Sequence, residues 1–309
     1  MIDLTICVTF CEQDKYIKPL INTLEALICR SRYRCEILIG VDHPTRETEE
    51  VLHDVAHLSK NIKIFKVNSN KNLIPLSRAS VNRIQLLKNA TGPYVMLLDG
   101  DDEYVDVVDD GIEFLNEHPD FVAVAYNFIE FYEKKSVYKK VQDPYPKKSV
   151  VTYFAHCAGR RYFSSNCLVF RRNVALDAIS EDSLYCNDTF LTKLLLKSGF
   201  IYYMGREIMI YRKEIPSIYS GASRATRILS ELMIQEECLR SFPDIRGITK
   251  ENIKMILRRA SSEKGVLDDV SYKTQAKSRR LRLSLATYEM MASSNLFMRC
   301  LLRIKLSLI

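Results

Sequence analysis

The sequence predicts an α/β fold with a mostly parallel central sheet covered by helices on both faces, followed by a C-terminal helical region. Three observations predict it. Apolar runs of strand length alternate with helix-length amphipathic segments over the first hundred residues, the pattern of βαβ units. Polar and acidic residues stand directly after several of those runs, at the carboxyl ends of strands, where open α/β sheets bind ligands. After Ser223 the alternation gives way to helical spacing and basic charge accumulates.

The elements follow in order. LTICVTF (4–10) reads as a strand, with a helix near 14–29, EILIGV (36–41), a helix near 46–58, IKIFKV (62–67), a helix near 77–89 and YVMLLD (94–99) after it. From 103 to 222 the pattern is less regular. FVAVAYNFIEFY (121–132) reads as a long strand whose alternating aromatic residues suit a half-buried surface, and SSNCLVFRR (164–172) as another. A helix near 188–198 precedes FIYYMGREIMIYR (200–212), a further strand. The expected organisation is one domain over 1–222 and a helical, basic region over 223–309, interrupted at Pro243 to Gly247 and near Gly265.

Composition narrows the class. With 309 residues, 47% hydrophobic and 27% charged, and only 10 Gly and 9 Pro, the chain can bury a core and is not collagenous, low-complexity or disordered. No stretch approaches the roughly 18 to 20 apolar residues of a spanning helix, and MIDLTICVTF lacks a basic signal region, so a cytoplasmic protein is expected. The nine cysteines include no C-x-x-C pair, which argues for small buried thiols over a disulfide framework or zinc ribbon. The net charge of +7 belongs to the tail: residues 271–309 hold eight of the 45 basic residues and one of the 38 acidic ones, so the remainder balances to zero. Such a distribution gives no reason to expect nucleic acid as a partner.

The strongest chemical signal is LLDGDDEYVD. Asp99, Asp101 and Asp102 crowd three carboxylates into four residues at a strand end, and hard oxygen donors there suit Mg²⁺ or Mn²⁺ carrying a diphosphate. Gly100 leaves room for a ligand to approach. Thr9 to Glu12 and Asp42 to Thr45 are further polar clusters after strands, where a bare turn would suffice.

The ordered series VTFCE, VDHPTRET, NSNKN with the helix beginning SRASVNR, and YVMLLDGDD resembles the glycosyltransferase family 2 enzymes, over roughly residues 1 to 220. That resemblance implies a GT-A fold and an inverting, metal-dependent sugar transfer. Residue by residue it implies Thr9, Phe10 and Glu12 near the nucleoside, Asp42 on the base, Arg78 near the base or diphosphate, Asp99 on the ribose and Asp101 on the metal. Val8, Cys11 and His43 depart from the family's usual Pro, Asn and second Asp. In NDTFLTKLL the resemblance implies an acidic pair's place at Asn187 and Asp188, with Asp188 as the base that takes the acceptor hydroxyl's proton. Glu181 and Asp182 form a rival pair seven residues earlier. YRKEIPSIYSGAS resembles the family segment that closes over the diphosphate, which implies a phosphate contact for Arg212. Glu214 stands there in place of a frequent histidine. His156 with Arg160 and Arg161 falls where relatives border the acceptor.

The expected function is therefore transfer of a sugar from a nucleotide diphosphate sugar, a UDP-sugar by preference, to a glycan or lipid-linked glycan. A nucleotidyltransferase would want a glycine-rich basic loop after the first strand, which TFCEQDKYI lacks. A non-enzymatic membrane- or nucleic-acid-binding scaffold would not need the carboxylate clusters. In the tail, Leu281, Leu285, Tyr288 and Ala292, then Phe297, Leu301, Ile304 and Leu308, form apolar stripes among arginines. Those stripes suit either a helix lying peripherally on an anionic membrane, at its inner face, or one packed on the domain or in an oligomer.

Overall fold

The computed structural model describes residues 1–10, 14–56, 61–70, 73, 75–159, 164–179, 185–213 and 224–261. The first βαβ series is β1 (Leu4–Phe10), α1 (Asp14–Arg30), β2 (Cys35–Asp42), α2 (Arg46–Ala56), β3 (Ile62–Val67), α3 (Pro75–Asn89) and β4 (Tyr94–Asp99). Then come β5 (Glu103–Tyr104), α4 (Asp109–Glu117), β6 (Phe121–Tyr132), β7 (Val137–Lys140), β8 (Ser149–Val151), α5 (Tyr153–Gly159), β9 (Leu168–Arg171), α6 (Arg172–Ala178), α7 (Asp188–Ser198) and β10 (Phe200–Lys213). Two helices end the described chain, α8 (Arg224–Ser241) and α9 (Arg246–Ser261).

Among the described residues the strands form one sheet ordered β3-β2-β1-β4-β9-β6-β10-β5, with β7 added to β6 and β8 to β10. Pairings β3·β2, β2·β1, β1·β4 and β6·β10 are parallel, and β9 is antiparallel to both neighbours. Every residue of β1 and β2 is buried. Strands buried on both faces need cover on both, which explains why their sequences are continuous apolar runs instead of alternations. Leu4, Ile6, Val8 and Phe10 pack into one core with Ile17, Leu20, Ile21 and Leu24 of α1, Leu52 and Val55 of α2, and Ile112 and Leu115 of α4. Thr5, Cys7 and Thr9 necessarily point to the opposite face. α3 covers that face, with Asn82 Nδ2 donating to the Gly40 carbonyl at 2.9 Å.

Local chemistry sets the helix starts that matter. Thr45 Oγ1 accepts from the Thr48 amide at 3.1 Å, and Glu47 and Glu49 stand in α2's first turn, where acidic side chains complement the helix dipole. SSNCLVFRR does not form one strand. Ser164 Oγ caps a 3-10 turn over Ser165–Cys167, and only Leu168–Arg171 are extended.

The chain divides into two compact units, residues 1–70 with 77–217, and 71–76 with 218–309. In the second, α8 and α9 pack together across a 3-10 turn at Pro243–Ile245, with Phe242, Ile245 and Cys238 buried. No described helix is long and apolar enough to cross a membrane. The tail stripes from 273 onward lie outside the described residues.

Candidate functional site

Strand alternation brings the candidate residues to one face. Thr9 pairs with Gly40 on one side and with Asp99 on the other, and Asp42 lies two residues beyond Gly40. Thr9, Asp42 and Asp99 therefore point to the side covered by α3, at the carboxyl edge of the parallel strands. Two arginines of α3 meet them there.

Asp42 is 2% exposed and tightly held. Its Oδ1 accepts from the Ser69 amide at 3.1 Å, and its Oδ2 accepts from Ser69 Oγ and Arg78 Nε, both at 2.8 Å. His43, at a left-handed φ of 51°, follows with Nε2 2.7 Å from the Ser69 carbonyl. Arg78 thus belongs to the Asp42 pocket.

The second arginine joins the other carboxylates. Arg83 Nη2 donates to Asp99 Oδ1 at 2.6 Å and to Asn166 Oδ1 at 3.3 Å, while Nη1 donates to Ser165 Oγ at 3.3 Å and the Cys186 carbonyl at 3.1 Å. Nη1 also lies 3.9 Å from Asp188 Oδ1. Asp99 accepts further from Thr9 Oγ1 at 3.2 Å and Asn166 Nδ2 at 3.2 Å. Burial opposes ionisation of Asp99, but the Arg83 charge and these hydrogen bonds outweigh it and hold the carboxyl below the usual range. Sequence reasoning missed Arg83, Ser165 and Asn166. Arg83 had one readable signal, a charge inside the buried stripe Ser80, Arg83, Leu87, Ala90 at helical spacing.

Asp188 opens α7, but the cap is Asn187, whose Oδ1 accepts from the Phe190 amide at 2.9 Å. Asp188 is thereby released from capping. Its Oδ1 instead accepts from the Ser165 amide at 3.0 Å and from Ser165 Oγ, and its side chain remains 26% exposed.

Asp101 and Asp102 are buried beside Asp99. Asp102 Oδ2 accepts from Asn166 Nδ2 at 2.8 Å, whereas its buried Oδ1 has no hydrogen-bond partner among the described residues. Burial, then the charges of Asp101 and Asp99, push the Asp102 carboxyl well above its ordinary range. An orphaned carboxylate oxygen among crowded carboxylates fits a divalent cation. No three His, Cys, Asp or Glu side chains among the described residues form a metal cage, so such an ion would complete its shell with diphosphate oxygens, as Mg²⁺ commonly does.

Other expectations land differently. Phe10 is 1% exposed in the apolar core, and a Cβ on Gly100 would stand 2.1 Å from its ring. The room at Gly100 is thus taken by Phe10, not left to a ligand. Arg212 Nη2 donates to Glu103 Oε2 at 2.7 Å, and its guanidinium lies 5.6 Å from the Tyr16 ring and 5.8 Å from Phe131. His156 is buried against Tyr145, 2.8 Å from its hydroxyl. Glu12, Arg160, Arg161, Glu181, Asp182 and Glu214 lie outside the described residues.

Comparison with protein families matches the chain over residues 5–176, more than half its length, to the model described as glycosyl transferase family 2. Among solved structures it is similar to Staphylococcus aureus TarS 1–349 in complex with UDP-GlcNAc, at 16% identity and TM-score 0.60, covering 94% of this chain and 81% of that one. It is also similar to the mannosyltransferase PcManGT of Pyrobaculum calidifontis in complex with GDP-Man and Mn²⁺, at 12% identity and TM-score 0.52, covering 100% and 82%. At these identities the likeness is one of fold. Comparison with curated protein sequences gives no match.

Proposed function

The chain belongs to glycosyl transferase family 2, and on that premise we propose a metal-dependent, inverting glycosyltransferase that moves a sugar from a nucleotide diphosphate sugar to a hydroxyl of a glycan or lipid-linked glycan. The nucleotidyltransferase and scaffold alternatives do not go with this family. The observation that carries the proposal is Arg83, which ties Asp99 at the end of β4 to Asp188 at the head of α7 on one sheet edge. A donor-side carboxylate and a candidate base then share one positively charged anchor.

The roles are those the family resemblance implies, and the geometry supports them. Thr9 and the Asp42–Arg78 pair form the nucleoside side, and Asp99 the ribose side, with Glu12 expected beside them from the sequence and Phe10 supporting them from the core. Asp101, with Asp102 beside it, would hold Mn²⁺ or Mg²⁺. When bound, such an ion offsets negative charge on the departing diphosphate. Arg212, braced by Glu103, is suited to a phosphate contact. Asp188, oriented by Ser165, takes the acceptor hydroxyl's proton as that oxygen attacks the anomeric carbon opposite the diphosphate. UDP-sugars are the first donors to try, since one similar structure holds UDP-GlcNAc, and Mn²⁺ the first metal, since another holds it with GDP-Man. We take residues 1–222 as the GT-A domain and 223–309 as its helical appendage.

A panel of radiolabelled sugar nucleotides incubated with Mn²⁺ tests this reading. Slow hydrolysis of one donor, abolished by chelator, is the expected result. No hydrolysis and no binding of any sugar nucleotide would contradict it.

A further inference from the structure

The sheet register carries β6 and β10 well past the edge where the candidate residues lie. Val95 pairs with Phe170 and Phe170 with Ala123, so Asp99, four residues beyond Val95, stands level with Asn127. Tyr132 is five residues farther along β6, about 17 Å of extended chain. β10 keeps pace, with Glu207 paired to Asn127 and Lys213 to Tyr132. The turn Glu133–Lys135 and strand β7 therefore top a wall rising beside the site. Contacts join the two: Tyr16 donates its hydroxyl to Glu133 Oε2 at 3.3 Å, and Arg212, bound to Glu103, reaches the Phe131 ring.

The chemistry of that crest is one-sided. EKKSVYKK (133–140) holds four lysines against one acid in a domain (1–222) whose other residues are net acidic, 24 basic against 28 acidic, and residues 134–140 are all exposed. Lys140 keeps a side chain 79% exposed even while pairing with Glu207 at 3.4 Å. Tyr138 is 61% exposed, its ring 4.6 Å from Phe131 and tilted by 32°. Lysines on an edge strand also discourage pairing with other sheets, which accounts for Lys139 and Lys140. It does not account for Lys134 and Lys135 in the turn, nor for an outward tyrosine. A membrane surface is the weaker partner, because Val137 and Tyr138 are the large apolar side chains that β7 exposes, too small a face for insertion.

We propose that the β6–β7 hairpin is the docking surface for the acceptor, and that the acceptor is an anionic glycan. Its carboxylate or phosphate groups meet Lys134, Lys135, Lys139 and Lys140 while a sugar ring stacks on Tyr138. The assignment of this partner as acceptor rests on the transferase reading above.

Lysine acylation of the full chain, mapped by mass spectrometry, tests the proposal. The probes are oligogalacturonate for carboxylate, dextran phosphate for phosphate, neutral dextran as control and phosphatidylglycerol vesicles for a membrane. The four lysines should be protected about fivefold or more by one or both charged glycans, with Lys18 and Lys88 unchanged and neutral dextran inert. Replacing them together (Lys134→Glu, Lys135→Glu, Lys139→Glu, Lys140→Glu) should weaken binding of the protecting glycan about tenfold or more. Tyr138→Ala should weaken the glycan but not polyglutamate, which has no sugar ring to stack. Protection by vesicles alone, no protection by either charged glycan, or undiminished binding in the folded quadruple variant would overturn the proposal. Sugar-nucleotide hydrolysis on the same preparation separates it from the reading it rests on. Hydrolysis without glycan protection removes the docking surface alone, whereas protection with no donor binding or hydrolysis removes the transferase reading and with it the acceptor assignment.

Discussion

Arg83 is the residue on which the site's electrostatics turn. A guanidinium only 8% exposed is tolerable because Asp99, Ser165, Asn166 and the Cys186 carbonyl receive its N–H groups. Arg83→Met keeps the length and removes the charge, leaving Asp99 without its counter-ion. Urea denaturation should show a loss of about 3 kcal/mol. Adding Asp99→Leu should restore part of that loss, and strictly additive losses would mean the pair is not coupled. At Asp188 the expected behaviour is a split between binding and transfer. Asp188→Asn should leave donor affinity intact while transfer falls by roughly 10² to 10⁴, and near-normal transfer would move the role to Glu181 or Asp182. Thr9, Asp42, Asp99 and Asp188 were legible because each follows an apolar strand or opens a helix. Arg83 was less so: its buried helical stripe is readable, but sequence does not show which carboxylate each arginine of α3 meets. The resemblance implied Arg78 near the base or diphosphate, and the structure pairs Arg78 with Asp42.

At the scale of elements, α7 and β10 aim the site. Asn187 caps α7, so Asn187→Ala should cost about 1 kcal/mol by thermal denaturation and lower transfer through a frayed Asp188, with donor affinity retained. β10 bends at Gly205, where φ is +73° and the register shifts between Tyr203 and Glu207. The bulge presents Arg206, which pairs with Asp110 at 2.7 Å and with Asp106. Gly205→Ala would force a side chain into left-handed backbone with its Cβ 2.4 Å from Lys147 Cγ, so a stability loss of about 1–2 kcal/mol is expected. β6 and α7 were readable to the residue because their periods are strong and their ends carry polar residues. Residues 164–172 depart from a single strand because Ser and Asn hydrogen-bond their own backbone, which favours a turn over Ser165–Cys167 that apolar patterning does not reveal.

For the whole molecule, acid sensitivity has an identifiable contributor in His156. Burial, and then the charge of Lys193, push its pKa down to about 4. An unfolded histidine titrates near 6.5, so between the two values the unfolded chain binds more protons and stability rises with pH. The contribution is complete above about pH 6.5 and disappears as pH falls toward 4, on the order of 3 kcal/mol. Denaturation midpoints at several pH values should therefore fall less steeply in His156→Gln than in the parent protein. The parallel sheet, its cover and its acidic edge were legible because hydrophobic periodicity records burial. The overhanging hairpin was not, since strand register and the level of one strand against another leave no trace in local pattern. On the proposed reading, the carboxyl edge of this sheet binds a nucleotide diphosphate through Asp101 and a divalent ion. Calorimetric titration of UDP in the presence and absence of Mn²⁺, on the parent protein and on Asp101→Ala, decides whether it does. Mn²⁺-dependent binding that the folded variant loses is the expected result; UDP affinity unchanged by both the metal and the substitution would rule out Asp101 as the metal ligand.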